Sequence, residues 1–141
     1  MSKLFFDTWG WVAIASKNDA CHSKVTSFYK SFLMSGGQPV TTDYILAETI
    51  TLLRSKTSRD DIIVFIDTLL EAEKKKRIII EIINEKRWHK AWALSKKYKD
   101  KPNISFFDFT SFVVMKELNL KEVLTGDKHF EEIGLGFRKS V

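Results

Sequence analysis

Hydrophobic positions along the chain fall into two kinds of run, and the two kinds alternate. Lys3-Leu4-Phe5-Phe6-Asp7 is a short apolar stretch ending at an acid, the pattern of a buried strand, and Trp9 to Ala15 then turns apolar in a way better suited to a helix. Val25, Phe28, Tyr29, Phe32 and Leu33 recur at steps of three and four, which predicts an amphipathic helix closed by Gly36-Gly37. Pro39 to Thr42 reads as a second short strand, with Asp43 placed to cap the helix that carries Tyr44 to Leu53. Ser58 and Asp61 stand in capping-box spacing before a segment that reads as helix to Leu70, although Ile62-Ile63-Val64 also suits a strand. Ile78 to Ile83 is short and rich in β-branched residues, as expected of a central parallel strand covered on both faces. A helix from about Asn84, a break at Lys101-Pro102-Asn103, a helix over Phe106 to Leu118 and a strand from Glu122 to Thr125, ending at Gly126-Asp127, complete the pattern.

Strand and helix alternate throughout, which argues for an α/β fold, because parallel neighbours need crossovers and helices are the compact way to make them. The expectation is one domain over residues 1–141, a three-layer α/β/α sandwich around a central parallel sheet of four to five strands. In such open sheets the ligand crevice lies beyond the carboxyl ends of the strands, and both Asp7 and Asp127 fall at strand ends.

Composition narrows the chemistry. A hydrophobic share of 44% supplies an ordinary core for 141 residues. The opening residues offer no apolar stretch long enough for a signal peptide, and no run spans a membrane, so a cytoplasmic setting is expected. Cys21 is the only cysteine, which excludes an intrachain disulfide and any multi-thiolate zinc site. The formal charge of +5 favours polyanionic partners weakly; Lys74 to Arg77 and Lys96 to Lys101 are explained as well by solvated helix ends and loops.

Four acids stand out. Glu48 has Tyr44, Ile45 and Leu52 as its helical neighbours, so either it interrupts an apolar stripe where an ionised group is costly without a cation or donors, or it stands at the rim of the stripe and reaches water. Asp108 sits among Phe107, Phe109 and Phe112. Each aspartate also has an ordinary explanation, since Asp7 and Asp127 are placed to cap the helices after them and Ser105 to Asp108 has capping-box spacing. An α/β fold would nevertheless bring all four positions to one crevice, where mutual repulsion raises pKa values unless divalent cations bind.

Phe5-Phe6-Asp7-Thr8, then His22, Asp43-Tyr44-Ile45-Leu46-Ala47-Glu48-Thr49, Ile104 to Asp108, Phe112 to Leu118 and Val123-Leu124-Thr125-Gly126-Asp127-Lys128-His129-Phe130 together resemble the PIN domain, in particular the toxin nucleases of VapBC-type toxin–antitoxin pairs. The resemblance spans nearly the whole chain. It implies that Asp7, Glu48, Asp108 and Asp127 are the catalytic acids and ligate Mg²⁺, with Mn²⁺ as a substitute, and that RNA is cut at a phosphodiester. Thr8 and Thr125 would be supporting donors and Lys128 a phosphate contact. A small antitoxin and a second copy of the chain would be the protein partners.

Two departures bear on cleft shape: Phe109 and Thr110 are bulky where relatives often carry small residues, and Gly126 stands where Ala or a larger residue is common. Trp88, Ala91, Trp92 and Ser95 follow helical spacing, which assigns both indoles to packing against the sheet or to a partner interface rather than to base stacking; Trp9 and Trp11 read as core in the same way. His89 and His129 have no ligand partners at useful spacing. Other readings are a nuclease of RNA processing, a PIN-like binding or scaffold module without cleavage, and a receiver-type signalling domain. The last needs a phosphoacceptor Asp ending a central strand, and Ile78 to Ile83 offers none.

Overall fold

A computed structural model describes residues 2–141. The chain runs β1 (Lys3–Phe6), α1 (Thr8–Ala15), α2 (His22–Met34), β2 (Gln38–Thr42), α3 (Asp43–Leu53), α4 (Arg59–Lys74), β3 (Ile79–Glu81), α5 (Glu85–Lys97), α6 (Phe106–Glu117), β4 (Glu122–Leu124), α7 (His129–Glu132) and β5 (Arg138–Lys139). The five strands form one sheet in the order β3-β2-β1-β4-β5, and every neighbouring pair is parallel. Helices cover both faces, so the α/β/α sandwich expected from the alternation is present. Among the described residues no helix is long and apolar enough to cross a membrane.

β1 is central, and its composition explains why: Leu4, Phe5 and Phe6 are all buried, as a strand covered on both faces requires. From β1 the chain steps outward to β2 and β3, then crosses back to β4 and β5 on the other side. The direction of travel therefore reverses between β1 and β4, where Phe6 pairs with Leu124. This switch point is where a crevice opens beyond the strand ends.

The Ile-rich run is a strand, but an edge strand and not a central one. β3 is half-buried, and Ile82 just beyond it is 56% exposed. β-branched residues report a fit to a pleated, partly covered surface; they do not report where in the sheet that surface lies. The β2 to β3 crossover carries this strand outward. Asp43 differs from expectation in a related way. Thr42 is the helix cap, its hydroxyl accepting the Ile45 N–H at 3.0 Å, while the Asp43 carboxylate accepts the Ile83 N–H at 2.8 Å and so ties the end of the β3 segment to α3. Ser58 caps α4 as anticipated, accepting the Asp61 N–H at 3.1 Å, and Ile62 to Val64 is helical. Gly36 closes α2 at φ +84°, a conformation that favours glycine.

Trp11 is fully buried against Phe6, Tyr29 and Phe65, and its indole N–H donates to Thr41 Oγ1 at 3.1 Å. Trp88 and Trp92 depart from the sheet-packing expectation. Trp88 is 37% exposed and Trp92 48%, their rings stack on each other on the outside of α5, and Trp88 leans on Phe106. The helical spacing aligned them on one face, but Ala91 and Leu94 supply the packed positions.

Asp43→Ala leaves the Ile83 N–H without its partner. The variant is expected to lose about 1–2 kcal/mol of unfolding free energy and to exchange the Ile83 amide faster than wild type, as read by denaturant titration and hydrogen exchange.

Candidate active site

Each of the four acids reaches the crevice from a different element. Asp7 ends β1, Glu48 lies in the middle of α3, Asp108 is in the first turn of α6, and Asp127 follows β4. All four line one cleft of about 560 Å³, together with Thr8, Trp9, Asp19, Lys56, Asn103 and His129. The crevice assignment made from the alternation is thus met in space by residues up to 120 positions apart in the chain.

Hydrogen bonds hold each acid in place. Thr125 Oγ1 donates to Asp7 Oδ2 at 2.8 Å and accepts the Asp127 N–H at 3.0 Å, so one buried hydroxyl ties the ends of β1 and β4. Thr8 Oγ1 donates to Glu48 Oε1 at 2.5 Å and joins α1 to α3. Asp108 Oδ2 accepts the Ser105 N–H at 3.2 Å while Ser105 Oγ accepts the Asp108 N–H at 3.1 Å. Capping and site geometry coexist there. Asp7, in contrast, occupies a cap position without using its side chain as a cap. Asp127 Oδ1 accepts the His129 N–H at 2.9 Å, which starts the last helical turn.

His129 is the residue that sequence reasoning missed. Its Nδ1 lies 3.0 Å from Asp108 Oδ2 and 3.0 Å from Asp127 Oδ2. The signal was its place two residues past Asp127, close enough for a turn to fold it back over the strand end. Asp108, Asp127 and His129 each offer a ligand atom, all within 4.8 Å of one another, a spacing that can hold a metal ion. Lys128, expected at a phosphate, is exposed and does not line the cleft; Lys56, beyond the end of α3, does. Phe109 and Thr110 are buried in the core and leave cleft shape to others. Trp9 is only half-buried and faces the cleft, unlike Trp11. Glu48 is likewise half-buried, reaching across the cleft and not into the core.

Electrostatics give the site its character. Burial pushes Asp7 from 3.8 up to about 7; Thr125 and the Thr8 backbone oppose the rise, while Asp108 and Glu48 add to it as like charges. Glu48 is raised by burial first, with Thr8 opposing and Asp108 and Asp127 adding. Asp108 is raised by burial, restrained by bonds from His129 and Ser105. Carboxylates this crowded, with hydroxyls and one imidazole for company, match the oxygen-rich donor set that hard divalent cations prefer.

The PIN domain family profile matches residues 4–135. The chain belongs to the PIN domain family. It is 26% identical over 133 residues, covering 93% of this chain and 94% of the relative, to the 23S rRNA-specific endonuclease VapC20 of Mycobacterium tuberculosis, found in two strains. Two solved structures superpose along almost the whole chain. The crystal structure of Mycobacterium tuberculosis VapC20, described as a sarcin-ricin loop cleaving toxin, gives a TM-score of 0.76 at 23% identity, covering 93% of this chain and 95% of that one. VapBC2 from Rickettsia felis, bound to a DNA fragment from their promoter, gives 0.70 at 16% identity, with 97% and 98% covered.

In metal-free protein, folded Asp7 keeps its proton to about pH 7 and the unfolded chain only to about 3.8. The folded state therefore binds the extra proton between those values, and stability falls as pH rises through that window. Asp7→Asn removes the penalty. In EDTA it is expected to melt several degrees above wild type at pH 8, with the gap closing towards pH 4.

Proposed function

We propose that the chain is a metal-dependent endoribonuclease and the toxin of a toxin–antitoxin pair, cutting RNA phosphodiesters at the cleft between β1 and β4. The observation that carries the reading is the convergence of Asp7, Glu48, Asp108 and Asp127 on one cleft of a PIN fold. The relative at 26% identity, a 23S rRNA-specific endonuclease, supports RNA as the substrate class. The VapBC2 structure supports an antitoxin partner. The same reading places the protein in the cytoplasm and includes a homodimer, for which the exposed face of Trp88 and Trp92 provides apolar surface.

Asp7, Glu48, Asp108 and Asp127 would hold Mg²⁺ or Mn²⁺. Such a cation supplies charge for a phosphoryl oxygen and acidifies water at neutral pH. The chain's own residues do the positioning. Thr125 fixes the Asp7 carboxylate and Thr8 the Glu48 carboxylate, so neither has to be ordered when substrate arrives. His129 holds Asp108 and Asp127 together. Lys56 stands in the cleft as a charge partner for a phosphate flanking the cut bond.

Purified protein is expected to cleave RNA with Mg²⁺ or Mn²⁺ and to stop in EDTA. Asp7→Asn and Asp108→Asn should each abolish cleavage while circular dichroism stays native; full activity in both variants rejects the assignment. Lys56→Ala tests the phosphate contact, with an expected rise in KM of about tenfold and a smaller fall in kcat.

A further inference from the structure

Position 126 lies between Thr125 and Asp127, and with the Trp9 indole where it sits nothing larger than glycine fits there. A Cβ built on Gly126 would sit 2.4 Å from both Cε2 and Nε1 of Trp9, well inside van der Waals contact. The Trp9 indole therefore lies directly on the backbone of the loop that carries Asp127. The resemblance leads one to expect Ala or a larger residue at 126; here that bulk comes instead from the first turn of α1, two residues after Asp7.

The indole packs against the edge of the core with only part of its surface. Trp11 meets Phe6, Tyr29 and Phe65, whereas among the described residues no aromatic ring pairs with Trp9. It is half-buried, backed by Gly126, and lines the cleft alongside all four acids. A flat aromatic seated on the loop backbone, in a cleft whose charge repels phosphates, is a neutral surface for a nucleobase, because every base has a π-face to stack.

We propose that Trp9 is a specificity-determining residue: its indole is the wall on which a nucleobase next to the cut phosphodiester stacks, with purines favoured for their larger face. The inference rests on the ribonuclease reading for its substrate class, but it concerns binding and is tested without turnover.

The probes are labelled single-stranded 12-mers of adenylate, of uridylate and of abasic ribose phosphate, which carry the same backbone charge. Affinity is read by fluorescence anisotropy with Ca²⁺ in place of Mg²⁺. Wild type is expected to bind the adenylate oligomer about tenfold tighter than the abasic one, with uridylate between them. Trp9→Leu should lose that margin and Trp9→Phe keep most of it. Gly126→Val, which evicts the indole without touching Trp9, should lose it as well, so the test survives misfolding of either variant. Equal affinity of wild type for adenylate and abasic oligomers overturns the inference, and so does an undiminished margin in folded Trp9→Leu. A Trp9-dependent margin in a protein that cleaves no RNA with Mg²⁺ or Mn²⁺ supports the stacking wall and removes the nuclease reading.

Discussion

The Thr125 hydroxyl, donating to Asp7 and accepting from the Asp127 backbone, is the contact on which the cleft depends. It is fully buried, and it joins two adjacent parallel strands just past their last ladder pair. A parallel sheet puts every strand's carboxyl end on the same side, so acids placed there become neighbours whether or not they attract each other. Asp7, Glu48 and Asp108 are all raised by burial first and by neighbouring carboxylates after it, Asp108 and Glu48 acting on Asp7, Asp108 and Asp127 on Glu48, and Asp127 on Asp108. Such a cluster persists only because the elements bearing it are held elsewhere. Phe5, Phe6, Trp11, Phe112 and Phe130 are fully buried beneath it. The core opposes the repulsion, and the hydroxyls direct the carboxylates that result.

Much of this was legible in the residues, and the errors have physical causes. Asp7 was visible because an acid directly after a buried apolar run has nowhere to go but the strand end. Glu48 was visible because it interrupts an apolar helical stripe, and of the two positions open to it there it takes the rim: its helix borders the cleft, and the half-buried side chain turns towards Thr8. Element boundaries marked by caps were accurate, as with Ser58, Asn84 and Ser105, because a cap is a local hydrogen bond encoded within three residues. The place of β3 in the sheet and the partners of His129 were not legible. Both are set by crossover direction and by a turn after β4, neither of which leaves a periodicity in the chain. β5 had no signal of its own, being two polar residues after Phe137.

The ordinary explanations for the acids and the functional one turned out not to compete. Asp108 completes a capping box with Ser105, and the same carboxylate oxygen meets His129 in the cleft. Asp127 starts the turn of α7 and faces the same histidine. A helix N-terminus is where orphan N–H groups and the dipole already favour a carboxylate. Putting site acids at such positions lowers the cost of gathering them, and it fixes their orientation with bonds the helix needed in any case. Asp7 is the exception, a cap by position that gives its side chain to Thr125 instead. Burial raises that carboxyl to about 7.

Charge at two length scales then separates attraction from positioning. The chain as a whole carries +5, so a polyanion is drawn to its exterior. Inside the cleft the balance reverses: five carboxylates, Asp19 with the four acids, face Lys56 and His129, and His129 is already engaged with two of them. A phosphodiester entering unaided would meet net repulsion, which falls off only over the Debye length of about 10 Å at 0.1 M salt. A divalent cation held by these acids would weaken that repulsion without altering the exterior. Contacts that carry no charge gain in weight under these conditions. The Trp9 indole, seated on Gly126, is such a surface: unlike the acids around it, it presents the same attraction to a nucleobase before and after the cation binds.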